Sequence, residues 1–233
     1  PISTGQVPEV SGELWSGRVG LDLSSSVPVT TVNDITSSPP TRDSIGVGEE
    51  DPLDEIVGVS AFAGTRMDVA LGLLRRLDIY FTGAFGARYM LLGEPGKTGW
   101  RSTLFVGYYS VGSGNSTVIG SDEFASNTNM TGFEFGGSIG NRMDELSLAY
   151  VTLASRGGDA RIRVVRNGVE QQVYEDTFDH YLMTFGFMFG QKWYLKVEAS
   201  ANFVSWKGPD NSGNTIEDDG TGFGGTLGFG YQW

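Results

Sequence analysis

The feature that most constrains the fold of this chain is an alternation of apolar residues with polar or small residues. In residues 77–91 the odd positions are mostly apolar, from Leu77 to Leu91, whereas the even positions include Asp78 and Arg88. Side chains of a β-strand point alternately to its two faces, so this period of two predicts strands with one apolar face. The pattern recurs in segments that begin near Trp15, Trp100, Phe133, Leu146, Tyr181, Trp193 and Phe223.

The lengths of these segments and the composition indicate a membrane protein that crosses the bilayer with strands. The sequence has no run of about 20 apolar residues, which a transmembrane helix needs. Each alternating segment has the roughly 9–11 residues that a tilted strand needs for the same crossing. Aromatic residues make up 12% of the chain and glycines number 35. We therefore predict an all-β, antiparallel, up-and-down transmembrane β-barrel, with a soluble barrel as the alternative.

Charge and residue counts exclude several function classes. The net charge is −12, and nucleic-acid binding needs a basic surface, so we expect no nucleic-acid partner. The chain has no cysteine, which excludes disulfides, thiolate metal sites and a cysteine nucleophile. It has a single histidine, which is too few for a metal site built from several histidine ligands.

The strand count depends on one ambiguous stretch. Residues 55–74 keep apolar residues on one parity, and we divide them at residues 64–66 into two strands. A short helix is the alternative there, because Met67, Ala70 and Leu74 also fit helical spacing. With residues 77–91 as one strand and Arg75–Arg76 as a tight outer turn, the prediction is about ten strands. Eight or twelve strands are the alternatives.

The connections predict the topology and the domain boundaries. Short connections at residues 141–144 and 190–192 are typical of periplasmic turns, and long polar connections are typical of extracellular loops. Residues 1–11 are predicted as an N-terminal periplasmic extension and residues 12–233 as a single barrel domain. Asn167-Gly168 predicts a hairpin that projects from the outer rim. The predicted outer loops are residues 25–54, 112–131, 155–179 and 207–221.

The last strand carries a family resemblance. It ends Thr226-Leu227-Gly228-Phe229-Gly230-Tyr231-Gln232-Trp233. This resembles the C-terminal signal of bacterial outer-membrane β-barrel proteins, in which the equivalent positions are Thr226, Gly228, Tyr231 and Trp233. The resemblance implies export to the outer membrane, insertion by the outer-membrane assembly machinery, and contact with membrane lipid and lipopolysaccharide. We find no signal peptide at the start of the sequence and expect that the export signal is missing from this chain.

Aromatic residues near the ends of the alternating segments predict interfacial girdles. Tryptophan and tyrosine are enriched where a barrel meets the lipid headgroups. The predicted girdle residues are Trp15, Tyr89, Trp100, Tyr108 and Trp193.

Charged residues occur on the parity that would face the lumen. A barrel of eight to ten strands is just wide enough for its interior to be filled by side chains, and charges there must pair. We therefore predict a largely plugged lumen with an ionic network; the alternative is a narrow pore lined by Arg88, Arg101 and Glu134. The predicted network residues are Arg18, Asp22, Arg88, Arg101, Glu134, Lys196 and Glu198.

Candidates for catalysis and metal binding are weak. Asp179 precedes His180, and an Asp–His pair can orient water as a general base. Omptin-type proteases resemble this, but there the acid is one residue removed from the histidine; lipid A deacylases use a His-x-Ser, and this chain lacks the serine. We expect no cofactor. Oxygen ligands at Asp210, Asn214 and Asp219 make calcium the one candidate ion.

These observations lead to one expected function and two alternatives. We expect a non-enzymatic structural or adhesive barrel, or a subunit of an envelope complex, which contacts protein partners through its extracellular loops. The first alternative is a small porin-like solute channel. The second is a surface hydrolase of the omptin or lipid A deacylase type that uses Asp179 and His180.

Overall fold

A computed structural model describes residues 6–24, 29–32, 34–47 and 64–233 of the chain. Strands dominate the described residues, and none of them forms a helix that is long and apolar enough to cross a membrane. The strands are β1 Gly17–Ser24, β2 Val29–Thr30, β3 Gly46–Val47, β4 Gly64–Leu74, β5 Leu77–Phe81, β6 Ala84–Leu92, β7 Gly99–Ile119, β8 Asp122–Arg142, β9 Ser147–Arg166, β10 Val169–Gly190, β11 Trp193–Pro209 and β12 Thr215–Gln232.

Strand β1 and strands β4 to β12 form a closed antiparallel barrel of ten strands, which confirms the predicted fold class and strand number. Each strand pairs with its neighbours in sequence, and the ring closes where β1 pairs with β12. Leu21 of β1 lies opposite Phe229 of β12 on one side and opposite Met67 of β4 on the other. Strands β2 and β3 form a separate two-stranded sheet.

The faces of the barrel follow the alternation of the sequence. Large apolar side chains are exposed on the outer face, among them Phe85, Phe133, Phe185 and Phe229. Charged and polar side chains are buried on the inner face. A barrel that is apolar outside and polar inside matches lipid as its surrounding solvent, because only the outward residues meet the hydrocarbon.

The prediction of one strand over residues 77–91 is wrong, because a hairpin divides it into β5 and β6. The hairpin turns at Gly83, whose φ of 85° favours glycine, and Phe81 pairs with Phe85 across it. Paired residues of an antiparallel ladder share a face. Positions 81 and 85 have the same parity, so the alternation continues through the turn without a break and hides it.

The assignment of Arg75–Arg76 to an outer turn is also wrong. These residues connect β4 to β5 at the barrel end that also carries the connections at residues 143–146 and 191–192, which we call the periplasmic end. Arg75 lies there, with its Nη2 atom 3.5 Å from the Glu94 Oε2 atom in the β6–β7 connection. The second half of the 55–74 stretch is the single strand β4, and the first half lies outside the described residues. The predicted total of ten strands is still correct because two errors cancel. The prediction missed the hairpin between β5 and β6, and it counted one strand too many in residues 55–74.

Three of the four predicted outer loops are largely strand. Strands β7 to β12 continue past the level of the Gly83 turn, since β6 pairs with β7 only as far as Ala84 and Tyr109. We call these continuations the outer sheet: residues 110–131, 157–179 and 205–219. The predicted Asn167-Gly168 hairpin is confirmed, and both residues have positive φ, at 50° and 78°. The outer sheet makes the protein taller on one side of the ring.

Two segments occupy the two mouths of the barrel. Residues 6–16, which we call the inner plug, enter the periplasmic mouth, where Gln6, Val7 and Val10 are buried. The prediction that residues 1–11 form an extension into the periplasm is therefore wrong for residues 6–11; residues 1–5 lie outside the described part of the chain. Residues 29–32 and 34–47, which we call the outer plug, enter the opposite mouth and contribute Val29, Val32 and Ile45 to the main apolar cluster.

Candidate functional site

The part of the lumen nearer the periplasmic end contains a network of buried charges from three strands. Arg18 and Asp22 come from β1, Arg66 and Asp68 from β4, and Lys196 from β11. The Lys196 Nζ atom lies 2.7 Å from the Asp22 Oδ2 atom, and the Arg66 Nη2 atom lies 2.8 Å from the same oxygen. The Arg18 Nε atom lies 3.2 Å from the Asp68 Oδ2 atom. We call these five residues the lumen network.

A glycine makes the central contact of the lumen network sterically possible. Gly228 of β12 lies between Lys196 and Asp22 and pairs with both residues, one on each neighbouring strand. A Cβ atom at position 228 would lie 2.9 Å from the Lys196 Cε atom and would also overlap the Asp22 carboxylate. Gly228 was predicted as part of the assembly signal, and the structure places it where a lysine crosses a strand.

A second pair of charges lies beside the inner plug. Asp78 of β5 and Arg88 of β6 are direct cross-strand neighbours, and the Arg88 Nη2 atom donates to the Asp78 Oδ2 atom at 2.9 Å. Asp78 also accepts a hydrogen bond from the backbone N–H of Ser11 at 2.9 Å. Arg88 lies 3.4 Å from the carbonyl oxygen of Val7. The pair therefore holds the inner plug on two sides.

Glu9 attaches the inner plug to two further arginines. Its carboxylate accepts hydrogen bonds from Arg101, at 2.5 Å, and from Arg142. Glu9 belongs to the plug and not to a membrane-spanning strand. Burial raises the pKa of its carboxyl group, but the positive charges of Arg142 and Arg101 outweigh burial and hold the pKa below its ordinary value of 4.5. The ionised carboxylate is thus the form that fits the periplasmic mouth.

The middle of the lumen holds carboxylates that bind to arginine and tyrosine. Glu134 of β8 accepts from the Arg156 Nε atom at 2.7 Å and from the Tyr80 hydroxyl at 3.1 Å. Glu198 of β11 accepts from the Tyr150 hydroxyl at 2.6 Å. Glu134 and Glu198 thus accept hydrogen bonds from different partners, and the ion pairs and hydrogen bonds described above divide the seven predicted network residues among several groups in the lumen.

The outer plug is held by a buried bidentate ion pair. The Arg42 Nη1 and Nη2 atoms donate to the two carboxylate oxygens of Asp176, at 2.7 and 2.9 Å. The indole N–H of Trp206 donates to the same carboxylate at 2.7 Å, and Arg42 lies over the ring of Tyr174. Val47 adds a backbone hydrogen bond to Asp218 at 2.8 Å. These contacts and the apolar cluster below them hold the outer plug in the outer mouth of the barrel.

The structure separates the two catalytic candidates. Asp179 and His180 are consecutive in β10, so Asp179 points outward and is exposed while His180 points into the barrel and is buried. A ring nitrogen of His180 lies 2.7 Å from the Asn202 side-chain oxygen. The two candidates therefore do not form an Asp–His pair, because neighbouring residues of a strand face opposite sides.

The calcium candidates do not converge either. Asp210 uses its carboxylate within its own turn, where it accepts from the backbone N–H groups of Ser212, at 2.8 Å, and Asn214, at 2.7 Å. Asp219 lies on the outward face of β12, opposite Ser205. Over the residues that the structure describes, no group of three or more potential metal ligands comes together.

The predicted girdle and assembly-signal residues lie on the barrel strands, except that Trp15 precedes β1 at the end of the inner plug and Trp233 directly follows β12. Trp15, Trp100 and Trp193 are exposed at the periplasmic end, and Tyr108 lies farther outward, with its ring 5.5 Å from that of Phe133. Tyr89 is exposed on β6. Of the signal residues, Thr226 is buried inside, Tyr231 packs on Trp193, and the Trp233 indole donates to the Trp15 carbonyl oxygen at 3.0 Å. The final strand thus completes the ring beside β1.

Sequence reasoning missed about half of the charged partners. Asp68 and Asp78 occupy the polar parity of alternating segments, as Arg88 does, so the signal for them was present. Arg66 was missed because the stretch was divided there. No local pattern indicates Glu9 or Arg42, because plug residues follow no strand periodicity and their partners are distant in sequence. The partner of Arg142, for example, is 133 positions away. Asp176 was missed because residues 155–179 were predicted as an outer loop, although it lies on the inward parity of β10.

Comparisons with known proteins concern the fold alone. The crystal structure of the outer membrane protease OmpT from Escherichia coli aligns with a TM-score of 0.44 and 11% identity over 99% of this chain and 100% of that chain. The outer membrane channel DcaP of Acinetobacter baumannii aligns with a TM-score of 0.15 and 6% identity over 95% and 96%. No protein family and no curated protein matches the sequence. The closed barrel with an apolar outer face has the architecture of outer-membrane β-barrel proteins.

Proposed function

We propose that this protein is a bacterial outer-membrane barrel with a closed lumen, which acts without catalysis through contacts of its outer sheet. The observation that carries the proposal is the filling of the lumen. The inner plug occupies one mouth, the outer plug occupies the other, and the lumen network lies between them. Among the described residues, the outer sheet extends beyond the level of the Gly83 turn and offers an exposed surface to a partner.

The energetics of the buried ion pairs favour a closed state. Removing one partner of a buried, hydrogen-bonded ion pair costs about 3–5 kcal/mol, because the other charge stays buried without compensation. A conducting path along the barrel axis would need the Arg42–Asp176 pair, the Glu9 contacts and part of the lumen network to separate. Three such costs, about 9–15 kcal/mol in all, are comparable to the total stability of about 5–15 kcal/mol that is usual for a folded protein.

Conductance in planar lipid bilayers tests the closed lumen. The purified full-length chain is expected to show no discrete openings, whereas a known open porin measured in the same bilayers gives the positive control. A variant without residues 6–16 tests the contribution of the inner plug and is also expected to stay closed, because the outer plug remains. Sustained openings of the unmodified chain would contradict the proposal and would support the channel alternative.

Cross-linking in the native membrane tests the contact function. The full chain is compared with a variant in which residues 163–166 and 169–173 are deleted, so that Asn167-Gly168 joins Ile162 to Tyr174. These two residues already pair with each other, so the shortened hairpin keeps its register. We expect cross-linked neighbours for the full chain and their loss for the shortened one, with the barrel still folded. Identical cross-links in both would argue against contact through this hairpin.

Hydrolysis is tested on the same preparations. Asp179 and His180 face opposite sides of β10, so they do not form one site. We therefore expect that neither His180→Ala nor Asp179→Asn changes peptide or lipid hydrolysis. Peptide or lipid hydrolysis by the unmodified protein that disappears in His180→Ala would contradict the non-enzymatic proposal.

A further inference from the structure

The outer sheet has two edges, one formed by β7 and the other by β12, and the two edges differ. The β12 edge carries three consecutive acidic residues, Glu217, Asp218 and Asp219. The outer plug contacts this edge, where the Val47 N–H donates to the Asp218 carboxylate at 2.8 Å. Charged residues and a covering segment are two of the means by which native proteins prevent an edge strand from pairing with another chain. The β12 edge is therefore protected.

The β7 edge lacks these protections. β6 pairs with β7 only as far as Tyr109, whereas residues 110–119 continue to pair with β8 in an unbroken register. Among the described residues, no strand pairs with the other side of residues 110–119, which we call the free edge. These ten residues include no charged residue and no proline. They extend over about 33 Å, and roughly half of their N–H and C=O groups point away from β8.

The outward face beside the free edge is rich in hydrogen-bonding groups. A Cβ atom at position 114 would lie 2.6 Å from the Asn127 Oδ1 atom, and one at position 112 would lie 3.0 Å from the Asn129 Oδ1 atom. The two asparagine side chains therefore reach from β8 over the glycines of β7, toward the free edge. A strand added to this edge would lie about 5 Å from β7, so its outward side chains would meet the asparagine amides.

Two arginines extend this polar surface. Arg161 and Arg163 of β9 are the cross-strand neighbours of the two asparagines, and the four residues line one groove of about 330 Å³ together with the glycines. The arginines are the charged residues of this groove. Their acidic neighbours lie on β10, on the side away from β7: Glu175 is paired with Arg161, and the Glu170 Oε2 atom is 3.9 Å from the Arg163 Nε atom. Amide N–H groups and guanidinium groups both donate to carboxylates, so the groove suits long acidic side chains.

We propose that the free edge of β7 pairs with an extended acidic segment of a partner polypeptide, which adds one antiparallel strand to the outer sheet. Main-chain hydrogen bonds along residues 110–119 hold the added strand, and its glutamate side chains at alternate positions enter the groove. The inference rests on the proposed contact function, because it names the edge and the chemistry of the partner. If the hairpin-dependent cross-links of the full chain persist while no acidic peptide binds, the inference fails and the contact function stands.

The first part of the test measures peptide binding to the full chain in nanodiscs of uncharged phosphatidylcholine. The probe is a capped peptide of ten residues in which glutamate alternates with valine and threonine. The control peptide has glutamine in place of each glutamate. Arg161→Gln/Arg163→Gln removes the charges of the groove. The matched control is Lys207→Gln, because Lys207 is an exposed cation on the outward face of β11, 3.3 Å from Glu217.

The second part tests the backbone pairing with Ser113→Pro and Gly114→Pro. Consecutive residues of a strand point their N–H groups to opposite sides, so one proline removes a donor from the free edge and the other removes one from the β7–β8 ladder. Hydrogen exchange of the β7–β8 hairpin identifies the second variant, because only that variant breaks the ladder. We expect the variant with an intact ladder to lose peptide binding.

The third part tests the register. The chain has no cysteine, so Ser116→Cys provides a unique thiol on the exposed, outward face of the free edge. Peptides that carry one cysteine at successive positions are oxidised with this variant. An added strand places only every second side chain on the outward face, so we expect disulfides at alternate peptide positions.

We expect the unmodified chain and Lys207→Gln to bind the acidic peptide about tenfold more tightly than the glutamine peptide, and Arg161→Gln/Arg163→Gln to lose this preference. Equal binding of the two peptides by the unmodified chain would overturn the proposal. Full binding by the proline variant with an intact ladder, or disulfides at consecutive peptide positions, would overturn the pairing. Disulfide-linked dimers of Ser116→Cys in place of the peptide adduct would assign the edge to a second copy of this chain. Absence of binding would show that another part of this chain covers the edge, which is equally contrary to the proposal.

Discussion

Lys196 reaches Asp22 across an intervening strand, and their Nζ and Oδ2 atoms lie 2.7 Å apart above the backbone of Gly228. The strand between them carries no side chain at the crossing point. Most of the other buried pairs in this lumen, such as Asp78–Arg88 and Glu134–Arg156, join adjacent strands directly. The contact therefore links three strands, and it does so at the seam where the last strand closes on the first.

The first prediction concerns this crossing. Gly228→Ala places a methyl group 2.9 Å from the Lys196 Cε atom and against the Asp22 carboxylate, so one of these two buried side chains must shift and the ion pair is weakened. We expect a loss in the free energy of unfolding of up to roughly 3–5 kcal/mol, the cost of a buried pair that is broken outright. Guanidinium unfolding in lipid vesicles, followed by tryptophan fluorescence, measures it. The matched control is Gly225→Ala on the same strand, where the nearest atom is 3.4 Å from the added carbon. Equal losses in both variants would contradict the account.

The second prediction is a pH dependence of the inner plug. The folded-state pKa of Glu9 is lowered, so its contribution is complete above the ordinary value of 4.5 and is lost as the pH falls through the folded pKa. We expect backbone amides 6–16 to exchange hydrogen faster below that pKa, after correction for the intrinsic pH dependence of exchange. Mass spectrometry measures it. In Glu9→Gln the protection should be weaker and should not vary with pH over this range; an unchanged pH profile in that variant would assign the effect to another group.

The third prediction concerns the outer plug. Asp176→Asn leaves the Arg42 guanidinium buried with a neutral partner and weakens the hydrogen bond from the Trp206 indole. We expect the outer plug to lose about 3–5 kcal/mol of its attachment and the Trp206 emission to shift toward that of a solvated indole. Fluorescence and limited proteolysis of residues 34–47 measure this. Lys207→Gln, with an exposed ion pair to Glu217, serves as the control and should change neither readout.

The fourth prediction concerns the hairpin that the alternation concealed. Gly83 has a φ of 85°, so Gly83→Val forces a β-branched residue into a left-handed conformation. The cost should be about 1–2 kcal/mol in the free energy of unfolding, and the β5–β6 hairpin should exchange hydrogen faster. Gly96 lies in the connection between β6 and β7 with a φ of 72°, and no atom lies within 4 Å of an added Cβ atom there. Gly96→Val therefore imposes a similar backbone strain outside the barrel strands. Comparison of the two variants separates the cost of the strained residue itself from the effect on the barrel. A larger effect at position 96 than at position 83 would contradict the assignment of Gly83 as a structural turn.

The sequence by itself determined which residues face outward and which face inward. Parity is a local property of a strand, and lipid is a uniform apolar solvent, so the positions of a strand that face lipid are apolar along its membrane-spanning part. For this reason the all-β class, the outward aromatic residues and the inward charges such as Arg88 and Lys196 could be predicted from the printed residues alone. The Asn167-Gly168 hairpin could be predicted too, because its turn chemistry is local.

Only the tertiary structure decided the pairing partners, the Gly83 turn and the placement of the two plugs in the mouths of the barrel. When the residue numbers of two paired positions are both odd or both even, the alternation continues unchanged through the hairpin. Alternation therefore cannot locate such a turn. Ion pairs such as Glu9–Arg142 and Arg42–Asp176 join groups 133 and 134 positions apart, and local periodicity carries no information about such distances. The plugs themselves follow no period, because a segment that lies inside a ring contacts several strands at once and repeats the pattern of none.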